Sequence, residues 1–85
     1  MFNNFIVEIT NEKEFVEVIK KIMSFYKKDI LKLPDSYSET RRYLFLTKDD
    51  TLELINASQI PSYTPFFSYH SFNKFLKEQD NEKTN

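Results

Sequence analysis

The sequence has no glycine and no cysteine, one histidine and three prolines among its 85 residues, and its charges nearly cancel, leaving a formal −1. Each shortage excludes something. Without glycine, no Gly-rich loop can cradle a phosphate and no nucleophile elbow can form. Every backbone position with positive φ then falls to Asn, Asp or a strained residue. Without cysteine there is no disulfide framework and no thiolate chemistry, so packing alone must hold the fold, and a reducing compartment fits best. The lone histidine, His70, excludes a metal site with two imidazoles in one chain and reads as a surface or capping residue. Asp49, Asp50 and Glu53 sit around one tight turn, which supplies too few convergent oxygens for a metal. No catalytic residue, metal or cofactor is therefore expected, and the chain does not read as an enzyme. A near-neutral charge also argues against a classical nucleic-acid binder and against an acidic DNA mimic, each of which relies on a strong field of one sign. The N-terminus MFNNFIVEIT has no basic leader, and no run approaches membrane-spanning length. The expected location is the cytoplasm, the host's if the chain is phage-encoded, with no membrane partner.

What is present is apolar and aromatic. Hydrophobic residues make up 40% of the chain and nine of them are Phe, enough for one small core in a single domain over residues 1–79. Residues 80–85 have nothing to bury and are expected to be a disordered tail. The organising stretch is Arg41 to Ala57, where Leu44 and Leu46 alternate with Tyr43 and Phe45, and Leu52 and Leu54 with Glu53 and Ile55, around a Lys48-Asp49-Asp50 turn. That pattern predicts a β-hairpin. Phe2 to Thr10 predicts a first strand with Phe5, Val7 and Ile9 on its inner face. Asn11 and Glu14 have the spacing of a capping box, opening a helix whose Phe15, Val18, Ile19, Ile22, Met23 and Tyr26 form one stripe.

Pro34 ends any helix before it, and residues 35–40 read as a mobile polar loop. Residues 61–72 hold two prolines and five aromatics and read as irregular or as an edge strand at best; Ser71 then caps a short last helix with Phe72, Phe75, Leu76 and Gln79 on one face. The expected fold is α+β, a three-stranded sheet in the order β-α-β-β-α with one long helix on one face. A right-handed crossover through that helix would set the first strand parallel to the second.

Two surfaces invite function. From Lys20 to Arg42 there are seven basic and three acidic residues. Lys20, Lys21, Lys27, Lys28 and Lys32 are candidate phosphate contacts, though cations near a helix C-terminus also suit its dipole. Arg41 and Arg42, with Tyr63, Phe66, Phe67 and Tyr69, are candidate partner-binding residues, because Arg and aromatics are enriched at interfaces. The same aromatics suit a loop folded over the open end of a small core.

Lys, Asn, Ile, Phe and Tyr together account for 38 of the 85 residues. That bias, with EITNEKEFVEVIKKI, YLFLTKDDTLELI and a closing YHSFNKFL, resembles the small proteins of phages and mobile elements in low-GC Gram-positive bacteria. The resemblance implies a protein that binds and blocks a host enzyme or a defence system, as anti-CRISPR proteins do, and it carries over no functional residue. The expectation is a non-catalytic protein-binding module, an inhibitor or modulator of a larger host protein or defence complex. The alternative is a nucleic-acid-associated protein using the region from Lys20 to Arg42. An edge strand acting with the Tyr63 to Tyr69 loop is expected to support a partner complex or a weak homodimer.

Overall fold

The computed structural model describes residues 4–26 and 30–84, with the side chains of residues 26 and 80–84 outside that description. Lys27 and Lys28, two of the candidate phosphate contacts, lie outside it. The chain is α+β: β1 (Phe5–Glu8), α1 (Glu12–Tyr26), β2 (Tyr43–Leu46), β3 (Leu52–Ile55), a 3₁₀ turn (Ala57–Gln59), β4 (Phe66–Phe67) and α2 (Tyr69–Thr84). The sheet has four strands in the order β3-β2-β1-β4, not three. The aromatic stretch supplies the extra one, an edge strand of two residues parallel to β1.

The expected parallel pairing of the first two strands is overturned, since β1 and β2 are antiparallel with Glu8 opposite Tyr43 and Phe5 opposite Leu46. The reason is the length of chain after α1. The helix returns the chain once, and the segment up to Arg42 carries it back again, so β2 starts beside the end of β1, where the Ile9 N–H donates to the Arg42 carbonyl at 2.8 Å.

The hairpin forms as its pattern predicts, with Tyr43 opposite Ile55 and Leu46 opposite Leu52. Asp50 takes the left-handed backbone of the turn (φ 63°), a conformation that Asp tolerates better than most residues. Thr47 and Thr51 close the loop with paired hydroxyls 2.7 Å apart. At the start of α1, the Asn11 side chain accepts the Glu14 N–H at 2.8 Å, while the Glu14 carboxylate accepts from the Thr10 N–H at 2.9 Å. This is a capping box displaced by one residue.

Strand alternation puts Phe5, Val7, Leu44, Leu46, Leu52, Leu54 and Phe67 on the sheet face that both helices cover. Phe15, Val18 and Ile22 of α1 and Phe72 and Leu76 of α2 close this core. Met23, expected in the α1 stripe, is 43% exposed, because it lies on the flank of α1 turned away from Glu17 and Lys21, the residues that meet α2. Ser68, not Ser71, opens α2: its hydroxyl accepts the Ser71 N–H at 3.1 Å and its carbonyl accepts the Phe72 N–H at 2.9 Å. The helix is thereby one turn earlier than expected, and it runs on to Thr84.

Neither α1 nor α2 packs on the opposite face, yet Ile6 is 0% exposed and Ile55 is buried. Residues 56–65 join β3 to β4 across the full width of the sheet, as parallel strands require a crossover. We attribute the burial of Ile6 to that connection and to its neighbours Phe45 and Phe66, which flank it in register.

Candidate functional site

The aromatic stretch divides into core and surface. Phe72 is fully buried, and Phe67 packs edge-on against Phe5 (5.8 Å) and Phe72 (5.8 Å) and lies 5.1 Å from Phe75. Tyr69 is half-buried, and its hydroxyl donates to the Glu17 carboxylate across the two helices. That carboxylate holds the Tyr69 phenol above the usual tyrosine range, against a smaller opposing effect of Asn73. Lys21 reinforces the clamp by donating to Asn73 Oδ1 at 2.6 Å, with its ammonium 5.9 Å from the Tyr69 ring centre. Tyr63 and Phe66 remain outside. Phe66 is 49% exposed, its ring 5.7 Å from Tyr43 on the face away from α1 and α2. Tyr63 is fully exposed and sits at φ 63°, a conformation that costs a non-glycine residue about 1–3 kcal/mol.

The basic residues are dispersed. Lys21 is engaged at the α1–α2 junction, Lys20 is exposed on α1, and Lys32 lies beside Thr51 at the start of β3. Arg41 and Arg42 part company, since adjacent residues of an extended chain point to opposite sides. Arg42 lines a concavity with Thr10, Asn11, Glu12, Tyr37 and Glu39, whereas Arg41 lines one at the β3 edge. His70 is exposed with its ring 5.7 Å from that of Tyr69. Among the described residues, no three His, Asp or Glu side chains are grouped to hold a metal, and no helix is long and apolar enough to cross a membrane.

The feature that sequence reasoning missed is the course of residues 30–41. They run up the open side of β3, the Leu31 N–H donating to the Asp50 carbonyl at 2.9 Å and the Leu52 N–H to the Lys32 carbonyl at 2.8 Å. Tyr37 then packs against Phe15, with ring centres 6.0 Å apart. Beyond Lys32 the segment parts from β3 and leaves a groove of about 580 Å³ between them. The signal was Pro34. In a parallel ladder, the residue two beyond Lys32 should donate to the Leu52 carbonyl, and proline has no N–H to give.

No family model, no curated protein and no solved structure matches this chain.

Proposed function

We propose that this chain is a non-catalytic protein-binding module, an inhibitor or modulator that occupies a surface of a larger host enzyme or defence complex. The observation that carries the reading is Tyr63, an aromatic side chain held fully exposed at a strained positive φ beside the half-exposed Phe66. A domain without glycine has to place some other residue in such turns, but a polar Asn or Asp would do so at lower cost. An exposed tyrosine kept there is an anchor for a partner, and Tyr is enriched at binding hot spots. Phe67 and Tyr69 support the anchor from within the fold by fixing β4 and the start of α2. Arg41 and Arg42 lie on two other parts of the surface, where they meet acidic groups of the partner's rim.

The test is capture from lysate of a low-GC Gram-positive bacterium with the wild-type chain and a Tyr63→Ser/Phe66→Ser variant, which leaves the core between the sheet and the two helices untouched. The reading expects one or more proteins retained by the wild type and lost by the variant, with both folded by circular dichroism. Identical retention by both chains, or turnover of a small substrate by the pure protein, defeats it.

A further inference from the structure

The geometry points to the groove beside β3 as a docking slot for one extended segment of a partner polypeptide, taken up by strand addition. β3 alternates its hydrogen-bonding groups between its two sides, and the Thr47 N–H to Thr51 carbonyl bond (2.9 Å) fixes which residues face β2. Thr51, Glu53 and Ile55 turn inward to β2, so Leu52, Leu54 and Asn56 turn outward. The outward groups are closed at both ends. Asp50 and Leu52 meet the 31–32 segment, and the Asn56 N–H donates to the Gln59 side chain at 2.9 Å. Between them the Leu54 N–H donates no hydrogen bond, and the Leu52 and Leu54 carbonyls accept none, among the described residues. Two N–H groups from alternate residues and one carbonyl would complete them, and the backbone of an extended peptide presents those groups at that repeat.

The walls decide the occupant. One side of the groove is β3 and the other is the segment containing Pro34, Asp35, Ser36, Ser38 and Thr40, so a single strand enters but the sheet edge of a second folded copy does not. Lys32 stands at the Thr51 end and Arg41 at the end where β2 begins, with Asp35 and Glu53 between them. Among the described residues, none of these four side chains has an ion-pair or hydrogen-bonding partner. The complementary segment is about six residues, roughly 20 Å long, with a carboxylate at each end and hydroxyl side chains between.

This slot rests on the reading of the chain as a partner-binding module, and its test does not need that partner. The probe is the capped peptide Ac-Glu-Thr-Val-Thr-Val-Glu-NH2, titrated to low millimolar into isotopically labelled full-length protein. The expected result is a saturable shift of the Leu54 amide resonance, abolished when the peptide is N-methylated at every residue and at least ~tenfold weaker for a peptide ending in Lys or for the Arg41→Glu protein. No shift at Leu54, an equal response to the N-methylated peptide, or shifts confined to Tyr43, Tyr63 and Phe66 would overturn the slot. Loss of partner capture by the Tyr63→Ser/Phe66→Ser variant would stand in each of those cases, so the two readings fail separately.

Discussion

The two edges of the sheet are finished in opposite ways. At the β4 edge the strand is only two residues long, and the chain turns at once into α2, whose Phe72 and Leu76 are buried against β1. The aromatic rings of Phe5, Phe67, Phe72 and Phe75 lock that edge in place. At the β3 edge a covering segment begins to pair and then stops at Pro34. Short edges and covered edges are both ways of discouraging unwanted strand pairing. Here one edge uses the first and the other leaves its cover incomplete, so the available backbone lies at β3 while the available aromatic surface lies toward β4.

That contrast can be broken from either side. The largest effect is expected for Phe72→Ala, which empties the core under β4 and should cost about 3–5 kcal/mol in denaturant unfolding. A loss below 1 kcal/mol would mean that the β4 edge is not locked by its rings. Pro34→Val restores the missing donor and should let the covering segment zip further along β3. Exchange of the Leu54 amide should slow about tenfold, the equivalent of one net hydrogen bond of roughly 1.4 kcal/mol, and the acidic peptide should no longer bind. Tyr63→Gly relieves the positive φ and should stabilise the fold by about 1 kcal/mol while weakening partner capture; a residue kept for structure would give the reverse. The smallest effect is that of Tyr69→Phe, read in the alkaline limb of the stability profile. The folded-state pKa of Tyr69 is raised by its hydrogen bond to Glu17, so its contribution is fully present below the unfolded value of about 10 and is lost as pH rises through the folded one. The variant should lack that alkaline loss.

The elements with a repeating pattern were legible in the sequence, and the ways they join were not. The hairpin, the α1 cap at Asn11 and the stripe of Phe15, Val18 and Ile22 follow from alternation, side-chain chemistry and helical period. The pairing of β1 with β2 does not, because it depends on where an unpatterned segment of chain runs. The aromatics of residues 63–72 could be read as core or surface until β4 gave them a register, after which Phe67 points to the helices and Phe66 away. Tyr63 stands out in the sequence by residue type alone, which carries neither its φ nor its full exposure. Pro34 in the sequence signals a helix stop, although the same missing N–H also ends a strand ladder. Beyond Gln79 the sequence offers nothing to bury, and the continuation of the α2 backbone to Thr84 was not readable from it.

The central claim is that the outward backbone of β3 is open between Lys32 and Asn56, and amide hydrogen exchange of the free protein followed by NMR tests it most directly. The account predicts that the Leu54 amide exchanges at close to the rate of an exposed amide while those of Glu53 and Ile55, bonded to β2, are protected. Protection of Leu54 equal to that of its two neighbours would mean that the edge is already covered, and would contradict it.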